Sequence, residues 1–342
     1  MTKSCSWTDG NAGPKHSDFI MRHNHSPRIR FFLFALALFA VASAAPAAPP
    51  ESLVLENAAL RAEVVPAWAG RLLFLGRPKG PNLLWTDPGA ADVPEYVDGR
   101  RQWRNFGGEK TWVGTQEEVW PLFATTNRDG TVWPPPAWFD AMPLSVVRAD
   151  ATNILLRSGF HGCRDGSWTC AIEREFTLFA DRLEIRQRLL LPEGAARAGE
   201  TPKPDDPRRI WSVTQVPRPD RVALRLCGGR RTVRNGGIPE PTPSGDAGWS
   251  ELDIASLSAS GKLEADGDVL AVRLSDGTGW LVIRQSAAPR HLAAFNRPGR
   301  AMVYVSPKDW RPSPYVELEF AAYGPDAAHT LDFRILDSTP AK

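Results

Sequence analysis

From Ser52 to Asp337 apolar and polar residues alternate in short runs broken by turn residues. No window holds an i, i+3, i+4, i+7 apolar pattern over three turns, so the pattern predicts strands. The clearest pair lies between Ile172 and Leu191. Ile172, Phe176 and Leu178 share one face of a first strand, with Glu173 and Glu175 on the other. Leu183, Ile185 and Leu189 repeat this in a second strand, with Glu184, Arg186 and Arg188 outward and Ala180-Asp181-Arg182 as the turn. The outward acids and arginines can pair across strands for about a few tenths of a kcal/mol each, so that face is read as solvated. Similar segments are Leu53–Val65, Arg71–Gly76, Leu144–Phe160, Ile210–Val216 and Val222–Leu226. Later ones are Val269–Leu274, Trp280–Gln285, Met302–Val305, Tyr315–Ala322 and Leu331–Leu336. Asp165-Gly166, Asn235-Gly236 and Asp276-Gly277 mark turns. The proline-rich stretches Pro202–Pro207 and Pro239–Pro243 are read as long loops, because the strands on both sides share one character. The fold class expected is all-β, a large antiparallel β-sandwich over residues 52–337, followed by a short tail at 338–342.

The N-terminus follows another pattern. Arg22, Arg28 and Arg30 precede an apolar run from Phe31 to Ala42, and Ala42-Ser43-Ala44 is a small-x-small cleavage site. The run is shorter than the roughly 20 apolar residues needed to span a bilayer. Residues 1–44 are therefore expected to be an export signal, with Met21 as an alternative start, and 45–51 a disordered leader. The expected location is periplasmic or secreted, with no membrane anchor after cleavage. Cleavage leaves about 300 residues, enough for one large β domain or two small ones. A formal net charge of +2 with no basic stripe argues against a nucleic-acid partner. A monomer is expected.

Cys163, Cys170 and Cys227 remain after cleavage. In an oxidising compartment a hairpin centred on Gly166-Ser167 would set Cys163 and Cys170 opposite each other as a disulfide. The competing reading is a metal site of His161, Cys163 and Cys170, but the spacing fits no zinc pattern and a fourth ligand is missing. No metal and no cofactor are expected.

Residues 101–143 break the strand pattern. They hold five of the 13 tryptophans, Trp103, Trp112, Trp120, Trp133 and Trp138, interleaved with Gly, Pro, Asn105, Glu109, Lys110 and Gln116. A long ordered loop inside a compact domain is usually functional. Sugars pack their C–H faces on aromatic rings and need fixed donors and acceptors for their hydroxyls, so this segment suits a mono- or oligosaccharide ligand. The alternative is that the tryptophans plug one end of the sandwich as core.

Further runs carry a family likeness. Leu55-Glu56-Asn57, Val64-Val65-Pro66, Gly70-Arg71 and Asn82-Leu83-Leu84-Trp85 resemble the opening strands of the galactose-mutarotase-like superfamily, with Ala69-Gly70 where a double glycine is usual. Gly107-Gly108-Glu109-Lys110-Thr111-Trp112 with Gln116, then Trp133-Pro134-Pro135, is similar to the signature of an uncharacterised bacterial branch. Trp211-Ser212-Val213-Thr214-Gln215 resembles its central strand, and Tyr315-Val316-Glu317-Leu318-Glu319 its C-terminal end. The resemblance spans roughly residues 52–337 and implies a two-layered β-supersandwich with a carbohydrate-binding face. It implies no single activity: mutarotases, epimerases and domains of polysaccharide-degrading enzymes share the architecture.

In mutarotases of this superfamily a glutamate on a late strand takes the anomeric hydroxyl proton and a histidine gives one to the ring oxygen. By resemblance Glu317 is the candidate base. Glu317 and Glu319, two apart on a strand, face one way with Tyr315, while Val316, Leu318 and Phe320 face the core; a solvated strand face is the other reading. The family's histidine motifs are absent. The candidate acids are Lys110 and His161, and a carboxylate beside Lys110 is expected to keep a low pKa. Arg71, Trp112, Gln116, Trp133 and Glu319 complete the expected ligand-binding set. The expected function is an exported sugar-active protein of aldose epimerase or mutarotase type, against a non-catalytic sugar-binding module or a polysaccharide lyase or hydrolase. If an enzyme, it would be an isomerase or a lyase.

Overall fold

The strand runs fold into two antiparallel layers. The computed structural model describes residues 50–87, 89, 104–114, 116, 119–123, 134–164, 166, 169–193, 209–226, 233–244, 249–285, 300–323 and 328–337. These residues belong to one compact unit, Pro46–Lys342. The expected export signal, Trp103, Trp133, Cys227 and the tail at 338–342 lie outside the described residues.

With strands numbered in chain order, the first sheet begins β1 (Leu53–Glu56), β2 (Arg61–Val65), β3 (Arg71–Gly76), β4 (Glu109–Val113) and β10 (Arg209–Pro217). It continues through β18 (Tyr315–Tyr323), β17 (Arg300–Val305), the first half of β15 (Gly261–Arg273) and β12 (Val233–Asn235). The second sheet begins β5 (Ser145–Ala149), β6 (Asn153–Arg157), β8 (Thr169–Leu178), β9 (Leu183–Leu190) and β19 (Ala328–Leu336). It continues through β16 (Trp280–Gln285), the second half of β15, β11 (Arg221–Leu226), β14 (Trp249–Asp253) and β13 (Thr242–Pro243). A short β7 (His161–Gly162) pairs with the start of β8. Helices among the described residues are single turns, α1 (Trp120–Phe123) and α2 (Ala137–Asp140), besides a 3₁₀ turn at Pro66–Trp68. None is long and apolar enough to cross a membrane.

One strand belongs to both layers. Residues 261–266 of β15 pair with β17 in the first sheet, and residues 269–273 pair with β16 in the second. The crossing point is Gly267, opposite a register shift in β11; a Cβ there would lie 2.7 Å from the Arg225 carbonyl oxygen. Bulges and glycines are how strands turn such corners.

Alternation builds the core between the layers. Val216, Val303, Val316, Leu318 and Phe320 of the first sheet meet Leu156, Phe176, Ile185, Leu331 and Phe333 of the second, all fully or nearly fully buried. Full burial of such a side chain contributes about 1.5–3 kcal/mol. The hairpin β8–β9 has the expected register, with Glu173 opposite Arg188 and Glu175 opposite Arg186.

Arg174 interrupts the apolar face of β8, because it meets a polar layer inside the sandwich. Arg174 Nη2 pairs with Glu109, and its Nη1 donates to the Gly70 carbonyl at 2.7 Å. The other Glu109 oxygen accepts from Gln187 Nε2 (2.8 Å) and Ser212 Oγ (3.1 Å), while Thr111 Oγ1 donates to Gln187 Oε1 (2.6 Å). Every side chain in this set is buried. Such a network costs little while complete and much when one member is removed. His329 lies in the same interior; burial and the Arg174 charge lower its pKa to about 3, so it stays neutral at ordinary pH.

Two expectations are corrected here. The segment 101–143 is not one loop: its centre is β4, a fully buried strand between β3 and β10. Cys163 and Cys170 are not joined but present as buried thiols. The register sets His161, not Cys163, opposite Cys170. Burial, reinforced by Cys163, pushes the Cys170 thiol pKa up.

Candidate functional site on the outer face of the first sheet

The Gly-Gly-Glu-Lys-Thr-Trp run divides between the two sides of β4. Gly107 and Gly108 take positive φ of 83° and 73°, and a Cβ on either would come within 2.2 Å of a backbone oxygen, of Trp85 and Leu72 respectively. No other residue fits there. The turn they make lets Gly108 N donate to Trp85 O (2.7 Å) and Gly108 O accept from Gln215 N (2.9 Å) as β4 begins. Beyond them Glu109 and Thr111 point into the sandwich, so Lys110 and Trp112 point to the outer face.

Cross-strand register extends that face. Val213 of β10 lies opposite both Lys110 and Glu319, and Gln215 lies opposite Glu317. Beyond β18, Met302 and Tyr304 of β17 lie opposite Glu319 and Glu317, and Lys262 of β15 lies opposite Tyr304. Lys110, Gln215, Glu317, Glu319 and Lys262 thus share one face across five strands. Arg71 of β3 joins them at the β4 edge. Its guanidinium donates to Gly107 O (2.9 Å), Asp140 O (2.7 Å) and Asp140 Oδ1 (3.0 Å). Trp112 Nε1 donates to the same Asp140 oxygen at 2.8 Å.

The charges on this face act on one another. Burial lowers the Lys110 pKa to about 8 against the attraction of Asp140, with Arg71 adding to the lowering. Burial raises the pKa of Glu317; Lys110 pulls it down, but Glu319 pushes it up and the net shift is upward. The expected low pKa of Glu317 is therefore corrected, because desolvation outweighs the lysine. Burial lowers the basicity of Lys262, yet the adjoining Glu319 together with Glu317 and Glu264 outweighs it and the pKa is raised. Glu317 Oε1 accepts from Gln215 Nε2 at 2.7 Å. Glu319 Oε2 accepts from Trp211 Nε1 (2.8 Å) and Lys262 Nζ (3.0 Å).

The aromatic residues divide into two groups. Trp112 is boxed edge-on by Trp120 and Trp211 at centroid distances of 5.3 and 5.1 Å, with the Lys110 amine 4.3 Å from its ring centre. Trp112, Trp120 and Trp138 are buried in one hydrophobic cluster, so Trp112 is covered where it meets this face and the three form no open platform. The second group surrounds Glu317: Tyr315 packs on Trp85 (4.8 Å), Trp310 (5.8 Å) and Tyr304 (6.3 Å), and Trp310 and Tyr304 remain half-buried.

Of the expected site residues, Arg71, Lys110, Trp112, Glu317 and Glu319 share this face. His161 stands apart on β7, stacked on Trp138 at 4.7 Å, its pKa lowered by burial. Gln116 lies half-buried in the turn after β4. Among the described residues no group of three His, Cys, Asp or Glu could hold a metal ion. Asp140, Trp211, Gln215, Lys262, Tyr304 and Trp310 were not anticipated. Lys262 carries a weak sequence signal, alternating with Glu264 and Asp266, whereas Gln215 shares its phase with Trp211 and Val213.

The two layers and the polar outer face define a galactose mutarotase-like fold. Three of the solved structures that this chain resembles show this fold. The Slr1438 protein from Synechocystis sp. PCC 6803 superposes with a TM-score of 0.54 at 13% identity, covering 86% of this chain and 99% of that one. A protein from Escherichia coli K12 provisionally named an aldose 1-epimerase gives 0.52 at 11% identity, covering 84% and 99%. A galactose mutarotase-like protein from Lactobacillus casei ATCC 334 gives 0.51 at 10% identity, also covering 84% and 99%. Identities this low carry the fold alone. No protein-family model and no curated protein matches the sequence.

Proposed function

We propose that this protein is a sugar-active enzyme of aldose epimerase type, with Glu317 as general base and Lys110 as general acid. The observation that supports this most is the opposed displacement of two buried groups on one face: the Glu317 carboxyl is raised and the Lys110 ammonium is lowered to about 8. Moving an acid and a base toward neutrality from opposite sides suits proton transfer at ordinary pH. Glu317 takes the proton of the anomeric hydroxyl as Lys110 gives one to the ring oxygen, and the ring C–O bond breaks to an open-chain aldehyde. Rotation about the C1–C2 bond and the reverse transfers close the other anomer, returning both protons. Tyr304 and Trp310, half-buried beside Glu317, offer ring faces for the C–H side of a pyranose. Export to the periplasm or beyond belongs to the same proposal, on the strength of the basic n-region, the apolar run and Ala42-Ser43-Ala44.

The test follows anomer exchange by polarimetry or NMR, together with C–H deuterium exchange, for a panel of neutral and acidic sugars. Anomer exchange accelerated without C–H exchange is the expected result, and Trp310→Ala should weaken binding several-fold. Binding without any exchange would leave a sugar-binding module and overturn the enzymatic reading. C–H exchange would point to elimination or epimerisation instead.

A further inference from the structure

Glu319 is more deeply buried than Glu317, yet its hydrogen bonding is incomplete. Its Oε2 is committed twice, to the Trp211 indole at 2.8 Å and to the Lys262 ammonium at 3.0 Å. Its Oε1 is buried and accepts no hydrogen bond, although the residue is 0% exposed. Gln215, also 0% exposed, repeats the feature: its Nε2 faces Glu317 and its Oε1 is buried without a partner. The two residues are diagonal neighbours on adjacent strands, since Glu319 lies opposite Val213 and Gln215 follows two positions on. Diagonal positions on one sheet face are about 7–8 Å apart at Cα, within reach of one small ligand. Buried acceptors left unsatisfied are costly, and a pair of them on one polar face calls for a ligand that brings donors.

We infer that Glu319 Oε1 and Gln215 Oε1 are the ligand-binding acceptors of this face, that they take hydrogen bonds from two hydroxyls of one polyol, and that Lys262 is the positioning residue holding Glu319 for this purpose. The inference rests on the sugar-active reading above and assigns Glu319 a role distinct from that of Glu317. Two acceptors cannot pair with a carboxylate or phosphate oxygen, so this subsite selects the hydroxyl-bearing edge of the ligand. Lys262 fits its part by geometry. Its amine lies 4.7 Å from the Trp211 ring centre as well as on Glu319 Oε2, so indole and ammonium fix the carboxylate from two sides. With Oε2 saturated, the carboxylate cannot rotate to satisfy Oε1 without losing both bonds.

The experiment measures dissociation constants and steady-state kinetics on the full chain, using D-glucose, D-galactose and D-mannose, then the mono-deoxy analogues of whichever binds tightest. Glu319→Gln and Gln215→Leu should each weaken binding about 10- to 100-fold, the usual loss when a buried polar contact to a ligand is removed. Glu317→Gln should lower turnover and leave binding nearly intact. Lys262→Met should raise KM and move the acid limb of kcat to higher pH, because the Lys262 charge helps to hold the Glu317 pKa down, and Lys262→Arg should restore both. In the unaltered protein at least two deoxy positions should each cost about 10-fold or more, a readout that survives if a variant fails to fold. If sugar binds and turns over but Glu319→Gln binds as tightly as the parent, the inference is overturned and the sugar-active reading stands. Deoxy analogues that all bind like the parent sugar would overturn it equally. If none of the sugars binds the unaltered protein, both fall together.

Discussion

Glu317→Gln should lower turnover by about 10²–10⁴-fold while leaving the dissociation constant within a few-fold, the usual share of a positioned general base. The amide keeps an oxygen that can accept from Gln215 Nε2, as the Glu317 oxygen does at 2.7 Å. The pH profile carries the sharper signature. The working state needs Glu317 ionised and Lys110 protonated. Activity should therefore rise with pH through the Glu317 titration, which burial has raised above the ordinary carboxylate range. It should fall again around pH 8 as Lys110 loses its proton. Each group feels the other's charge, so both limbs belong to the pair. Glu317→Gln should remove the acid limb. Lys110→Arg should remove the alkaline limb along with most activity, because a guanidinium does not give up its proton in this range. A bell left unchanged by both substitutions would reject the assignment of roles.

The second large effect concerns stability. Arg174→Leu or Glu109→Leu alone should cost about 3–5 kcal/mol in urea unfolding, because each leaves a buried charge without its partner. Arg174 and Glu109 are both 0% exposed, so water does not reach the charge left behind. Replacing both, as Arg174→Met with Glu109→Leu, should recover only part of that loss, because Gln187 Nε2, Ser212 Oγ and the Gly70 carbonyl then lose their partners. A cost below about 1 kcal/mol for the single changes would mean that the interior rearranges to admit solvent. The same pair bears on the outer face: Glu109 and Lys110 are successive residues of β4, and Arg174 also holds Gly70, the neighbour of Arg71. The double variant should fold yet lose turnover, because the strands that carry Lys110 and Arg71 are no longer fixed from below.

How legible the molecule was depends on which forces shaped each segment. The β8–β9 hairpin and β18 read clearly, because one side of each meets the core and the other carries charge. β4 did not read as a strand, since neither of its sides is apolar: Glu109 and Thr111 face a polar interior, and Lys110 faces a polar surface. Arg174 was invisible for the same reason, its partner lying far away in sequence. The lead-in to Arg71 shows why glycine is usual there: Ala69 adopts φ 55°, a left-handed conformation that a side chain makes costly. In the candidate site, Arg71, Lys110, Trp112 and the two glutamates were legible. Gln215 and Lys262 were not, because only the pairing of remote strands brings them together, and Asp140 was not, because it reaches Arg71 and Trp112 from the α2 turn. The tryptophans of 101–143 signalled burial at least as strongly as binding, and the half-buried aromatic residues beside Glu317 come from another part of the chain.

The assembly of the outer face also governs when it can exist. β4 ends at Val113, its neighbour β10 begins at Arg209, and β18, which carries both glutamates, begins at Tyr315. Such remote pairings give a high contact order, for which folding is slow and loop closure must precede any reward. A nascent chain that has emerged as far as β10 holds half of the central sheet with an open hydrogen-bonding edge where β18 belongs. It cannot complete its core until β18 and β19 have been synthesised, and until then that edge is exposed to pairing with other chains. Deleting β18 and β19 should therefore leave aggregating material and not a smaller folded domain. A chaperone that keeps the chain extended through synthesis should raise the yield of folded protein more than lowering the temperature does.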